Sequence, residues 1–194
     1  MSQLKFIRIA IFASGSGTNA INIYNYFKEN ENIKISMLFT NKDTAGVIDR
    51  FKELNIPILK FEKRELNSIQ FLDHLENIDF IVLAGFLLLI PIFIIEKFSN
   101  RIINIHPSLL PAYGGKKMYG DKIHEAVIAA KEKYTGITIH LVNGEYDKGA
   151  ILFQEKVFIS IDDTPISLAY KIHQLEYNWY PSIIEKTIRE IFIC

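Results

Sequence analysis

The stretch Arg8-Ile9-Ala10-Ile11-Phe12-Ala13-Ser14-Gly15-Ser16-Gly17-Thr18-Asn19 runs from an apolar strand into a turn of glycine and hydroxyl residues. Directly after it, Ala20, Ile21, Ile23, Tyr24 and Phe27 recur at the 3.6-residue spacing of an amphipathic helix. Strand, tight loop and helix in that order open a βαβ unit, and the continuous apolar strand is the kind buried on both faces. The alternation continues downstream. Strands are predicted over Ile33–Thr40, 57–61, 80–84 and 102–105, and helices over 43–54, 67–75, 91–98 and 121–133. The pattern then changes, because 137–142 and 151–159 alternate strongly and flank the turn formers of 143–149, as in two adjacent strands with a wide polar connection. A last helix is predicted over Pro165–Phe192, capped by Asp163 or Thr164 with proline just inside, and Pro181 should kink it or split it in two. The fold class is α/β: a Rossmann-like open, mostly parallel sheet with helices on both faces and mixed strands in the C-terminal half. Residues 1–194 read as one domain, with the glycine loop in 1–100 and a second loop of chemical interest in 101–194.

Composition narrows the class. Lys and Arg number 22 and Asp and Glu 22, so the chain lacks the electrostatic footprint of a nucleic-acid binder. Cys194 is the one cysteine, which allows no internal disulfide and fits a reducing compartment; its thiol reads as incidental. Met1 to Lys5 carry no secretory pattern. The most apolar run, 80–95, is interrupted by Gly85 and Pro91 and is too short to span a bilayer. The expectation is a cytoplasmic protein without membrane or nucleic-acid partners, as a monomer or homodimer.

Three loops carry chemistry. Gly15 and Gly17 let the chain turn tightly between strand and helix, where backbone N–H groups and the helix dipole favour an anion, and Thr18 and Asn19 add side-chain donors. The loop lacks the third glycine of a dinucleotide fingerprint and the lysine of a P-loop, so a single phosphate monoester suits it. The second loop is Asn104-Ile105-His106-Pro107-Ser108-Leu109-Leu110-Pro111. A proline after His106 bars helical geometry there and holds the ring in an extended segment. Two prolines in so tight a loop also make Leu110–Pro111 a candidate cis bond. In an open α/β sheet the ligand crevice lies outside the carboxyl ends of the strands, so both loops can face one crevice. Asp147, if it faces His106, would raise the imidazole's pKa and favour the protonated ring; with the Asn104 amide that makes a donor pair for an oxyanion. The third is Gly85-Phe86-Leu87-Leu88-Leu89-Ile90-Pro91, whose backbone could bond a flat heterocycle while apolar side chains cover its face.

With Ser14 to Asn19, Ala84-Gly85-Phe86, Asn104 to Pro111 and Asp147-Lys148-Gly149 in order, the chain resembles the glycinamide ribonucleotide formyltransferases of the folate-dependent formyltransferase family. The resemblance runs nearly end to end. It implies that Gly17, Thr18 and Asn19 hold a substrate phosphate, with Gly85 and Glu176 on the rest of the substrate, glycinamide ribonucleotide. It implies that 10-formyltetrahydrofolate is the co-substrate and that no metal takes part. Arg64 would meet the folate's glutamate tail. Leu87, Leu88, Leu89, Ile90, Asn104, Asn143, Gly144, Glu145 and Tyr146 would enclose the pterin, making 101–194 the catalytic and folate-binding half and 1–100 the phosphate-binding half. Asn104, His106 and Asp147 would be the catalytic set. Two departures stand out: Leu88 replaces an arginine, and Tyr113 to Gly120 form a longer loop without its histidine. His124 is left as a structural residue. Three rivals remain. A methionyl-tRNA formyltransferase shares the Asn104 loop and would bring a tRNA-binding domain and a basic surface. A folate-hydrolysing relative would bring an N-terminal regulatory domain. A non-catalytic ligand-binding α/β protein would keep the fold alone.

Overall fold

The computed structural model describes residues 6–192; Met1 to Lys5 and Cys194, on which two readings rest, lie outside them. Seven strands form one sheet: β1 (Ile7–Phe12), β2 (Ile33–Thr40), β3 (Ile58–Lys60), β4 (Phe80–Leu83), β5 (Ile102–His106), β6 (Tyr134–Leu141) and β7 (Ile151–Phe158), in the order β3-β2-β1-β4-β5-β6-β7. The pairings through β5 are parallel, and β6 and β7 are antiparallel to their neighbours. The single sheet therefore spans both halves of the chain.

Period-two alternation in β1 feeds two cores. Ile7, Ile9 and Ile11 face one cluster with Ala20, Ile23 and Phe27 of α1 (Thr18–Phe27), Val47 of α2 (Gly46–Phe51) and Ile172, Tyr180 and Ile184 of α6 (Pro165–Phe192). Ala10 and Phe12 face the other, with Phe71 and Leu75 of a 3₁₀ segment (Ile69–Leu75) and Ile94 of α4 (Ile92–Lys97). There Phe12 stacks on Phe39 with ring centroids 4.5 Å apart, and Phe61, Phe71 and Phe86 close round it. Burying each such ring contributes roughly 2–3 kcal/mol. This packing fixes the strand ends, and the loops at those ends form the site.

Several elements differ from their sequence-based bounds. The helix expected over 43–54 is confined to α2, because Ala45 is extended at ψ 128°. In place of one helix over 67–75 there is α3 (Lys63–Leu66) and then the 3₁₀ segment. Asn67 Nδ2 donates to the Lys63 carbonyl at 2.6 Å and closes α3, and Phe71 N–H donates to the Ser68 carbonyl three residues back. Helix α5 (Asp121–Ala129) is shorter than 121–133, with Lys131 at φ +54° just past its end, and β6 starts at Tyr134.

Helix α6 is not split at Pro181; it continues over 28 residues. A proline there leaves the carbonyl of Tyr177, four residues back, without its helical donor. Asn22 Nδ2 of α1 supplies one at 3.0 Å. The start follows expectation, since Thr164 Oγ1 accepts from Ser167 N–H at 3.2 Å and Thr164 N–H donates to Ser167 Oγ at 3.0 Å. The Leu110–Pro111 bond is cis.

Candidate active site

The glycine loop is built from backbone. Gly17 caps α1 at φ +79° without a side-chain cap, leaving the first-turn N–H groups of the helix without a side-chain acceptor. A Cβ at Gly17 would lie 2.5 Å from Val47 Cβ, so both conformation and space require glycine. Ser14, buried, donates its hydroxyl to Asn41 Oδ1 at 2.6 Å and accepts Leu87 N–H at 3.1 Å. That hydroxyl ties the glycine loop to the turns after β2 and β4.

The second wall is built from side chains. His106 ends β5, and its Nε2–H donates to the Tyr113 carbonyl at 2.8 Å while Nδ1 lies 3.5 Å from Asp147 Oδ1. Asp147 Oδ2 accepts Gly115 N–H at 2.9 Å. Asn104 sits opposite His140 in the β5–β6 register. Nδ1 of His140 donates to the Leu141 carbonyl at 2.8 Å, which leaves Nε2 to accept from Asn104 Nδ2 at 3.1 Å. One Asn104 N–H is thereby held, and the amide's other N–H is left for a ligand.

Burial would push the Asp147 carboxyl up, but His106 and the Gly115 N–H act against it, and the group is held below its ordinary range. His106 moves against expectation. Burial is the larger influence and lowers its pKa; Asp147 and the Tyr113 carbonyl raise it without prevailing. Its two nitrogens face two acceptors, which suits an imidazolium, yet the dry surroundings favour the neutral ring.

Both walls border one cavity of about 530 Å³. Of the residues singled out from sequence, Gly17, Thr18, Asn19, Gly85, Leu87, Asn104, His106, Tyr146, Asp147 and Glu176 line it. Glu176 Oε2 accepts Asn19 Nδ2 at 2.9 Å, so one of this amide's two N–H groups serves Glu176. Burial raises the Glu176 pKa to about 7, against the lowering effect of Asn19.

The remaining sequence candidates lie outside the cavity lining. Arg64 pairs with Glu62 at 2.9 Å on the surface. Ile90 is a core residue, Leu88 packs against that core, and Leu89 is exposed. Asn143 and Glu145 bond within their own turn, Asn143 Oδ1 accepting Glu145 N–H and Glu145 pairing with Lys148; Gly144 lies in the same turn. Sequence reading missed His140, whose signal was its place in an alternating strand pairing with β5. Lys42 and His173, which it did not single out, also line the cavity, as do Lys116 of the 113–120 loop and His124, which it left as structural. Among the described residues no group of three or more His, Cys, Asp and Glu side chains could hold a metal ion, and no helix is long and apolar enough to cross a membrane.

The family model described as formyl transferase matches residues 7–184. The phosphoribosylglycinamide formyltransferase of Bacillus subtilis is 34% identical over 93% of this chain and 94% of its own length. The chloroplastic enzyme of that name from Arabidopsis thaliana is 39% identical over 91% of this chain. The chain spans 64% of that plant relative and 61% of the one from Vigna unguiculata. The crystal structure of phosphoribosylglycinamide formyltransferase from Bacillus halodurans superposes with a TM-score of 0.85 at 38% identity, covering 93% of this chain and 95% of that one. A shared fold, these identities and a match over almost the whole chain lead to one statement: the protein belongs to the formyl transferase family.

Proposed function

We propose that the protein transfers the formyl group of 10-formyltetrahydrofolate to the primary amine of glycinamide ribonucleotide, in the cytoplasm, as a step of purine biosynthesis. The observation that carries this reading is the meeting of Asn104, His106 and Asp147 with the glycine loop in one cavity. One wall suits a phosphate and the other an acyl centre. The relatives named phosphoribosylglycinamide formyltransferase support the same reading.

The amine attacks the formyl carbon, a C–N bond forms, and the carbonyl oxygen takes the negative charge. The free Asn104 N–H stabilises that oxygen, and His106 joins it through its Nε2–H, the developing negative charge offsetting the burial that otherwise keeps the ring neutral and favouring the imidazolium. Nε2 of His106 reaches the oxygen when the Tyr113 carbonyl gives way, so the 113–120 loop competes with the reaction's oxyanion for one proton. The tetrahedral intermediate then breaks its bond to the folate nitrogen. Asp147 supports the charge on His106 while the proton lost by the attacking amine passes to the leaving nitrogen. Such donors, aimed where charge develops, each contribute about a hundredfold or more in rate.

In this reading the α1 N-terminus and Gly17 to Thr18 hold the phosphate, and Asn19 with Glu176 holds the ribose or glycinamide part. Gly85 lies with Glu176 on the substrate side, Leu87 and Tyr146 border the pterin, and Arg64 meets the glutamate tail. The test is donor absorbance and product mass with and without glycinamide ribonucleotide. Formylated ribonucleotide, made only when both substrates are present, is the expected result. Free formate without the ribonucleotide would make the protein a hydrolase and end the proposal.

A further inference from the structure

We infer that Lys42 supplies the cation that completes the phosphate site and so sets the preference for a phosphorylated over an unphosphorylated amine; this rests on the function proposed above. A phosphate monoester at neutral pH carries close to two negative charges, and the glycine loop offers only dipoles. One of the two Asn19 N–H groups is held by Glu176. The obligate cations in the cavity lining are Lys42, Lys116 and Lys117. Lys42 is the one fixed to the glycine loop, through its neighbour Asn41, whose Oδ1 accepts the Ser14 hydroxyl at 2.6 Å. Its backbone is pinned as well, the carbonyl accepting Ala45 N–H at 3.2 Å.

The Lys42 ammonium has no hydrogen-bond or ion-pair partner among the described residues, whereas nearby Lys60 and Lys52 pair with Asp43 and Asp49. Lys42 also borders a second hollow that carries Asp43, Glu62 and Glu65. Carboxylates lie on one side of it and uncapped peptide N–H groups on the other, so a dianion at the loop draws the ammonium toward the cavity. Two buried polar atoms of the same cavity's residues, His124 Nδ1 and Asn19 Oδ1, are also without partners, and His124 is only 2% exposed. Such orphans mark a cavity shaped for a polar ligand.

The experiment compares Lys42→Ala, Lys42→Arg and the Lys116→Ala/Lys117→Ala pair with wild type. Substrates are glycinamide ribonucleotide and its phosphate-free riboside, and inorganic phosphate is titrated as a competitor and, by calorimetry, as a ligand. Losing a charged hydrogen bond to phosphate should raise KM for the ribonucleotide about tenfold or more in Lys42→Ala, with kcat within about twofold. Lys42→Arg should recover most of it. The riboside should not distinguish Lys42→Ala from wild type, and phosphate should bind the variant more weakly. An unchanged KM would overturn the inference, as would an equal loss on both substrates. A phosphate-dependent loss confined to the Lys116/Lys117 variant would move the cation to the loop and overturn it too. Calorimetry needs no turnover, so Lys42-dependent phosphate binding in a protein that formylates nothing would keep this site and reject the proposed function.

Discussion

The two walls of the cavity are made of different material. The glycine loop is a backbone surface: its shape comes from Gly17 at φ +79°, the N-terminus of α1 and the Ser14 hydroxyl that ties three turns together. The opposite wall is a set of side chains, Asn104, His106 and Asp147, oriented by one another and by buried His140. A backbone surface holds a ligand and tolerates most side-chain changes. A side-chain set does chemistry and tolerates almost none.

Substitutions on the two walls should therefore fail differently. Asn104→Ala should lower kcat about a hundredfold or more, with the fold intact by circular dichroism and KM for the ribonucleotide little changed. A kcat near wild type would place the oxyanion elsewhere. Gly17→Ala should act on folding, costing roughly 2–4 kcal/mol in denaturant titration, because a Cβ there meets Val47 at 2.5 Å in a left-handed conformation. An unaltered denaturation midpoint would show that the loop yields more easily than its geometry implies.

Glu176, between the walls, has a pKa raised by burial from 4.5 to about 7. The folded protein thus binds more protons than the unfolded chain between those values, and stability from this group is full below the lower value and lost as pH rises through the upper. Glu176→Gln removes the buried charge, so it should stabilise the protein at pH 8 by on the order of 3 kcal/mol and leave it unchanged near pH 4. Equal effects at both pH values would mean that the carboxyl is ionised without penalty. The smallest effect belongs to Tyr180, buried in α6, whose hydroxyl reaches the Leu83 and Ile103 carbonyls at 2.9 and 3.1 Å. Tyr180→Phe should cost about 1–2 kcal/mol in thermal unfolding, with a modest fall in kcat as the ends of β4 and β5 loosen.

The same contrast explains what the sequence disclosed. The glycine loop and the Asn104–Pro111 loop are local: glycine, proline and apolar spacing fix their conformation within a few residues, and strands and helices around them follow from periodicity. His140 was illegible because its role depends on the register that sets it opposite Asn104. Lys42 was illegible for a like reason, since contacts made only in the fold, the Ser14–Asn41 bond among them, bring its turn to the glycine loop. The continuity of α6 through Pro181 needed a donor 155 residues away in sequence, Asn22. The His106 ionisation was misjudged because sequence shows the facing charge and not the burial that outweighs it.

The division of labour between the walls is tested most directly by single-turnover formyl transfer. Wild type would be measured with glycinamide ribonucleotide and with its phosphate-free riboside, and His106→Ala with the ribonucleotide. Removing the phosphate should weaken binding and leave the saturated rate of transfer nearly intact, whereas His106→Ala should bind as wild type and transfer about a hundredfold more slowly. If both changes fell on the same constant, or if wild type made no formylated ribonucleotide, the two-wall reading of this cavity would be wrong.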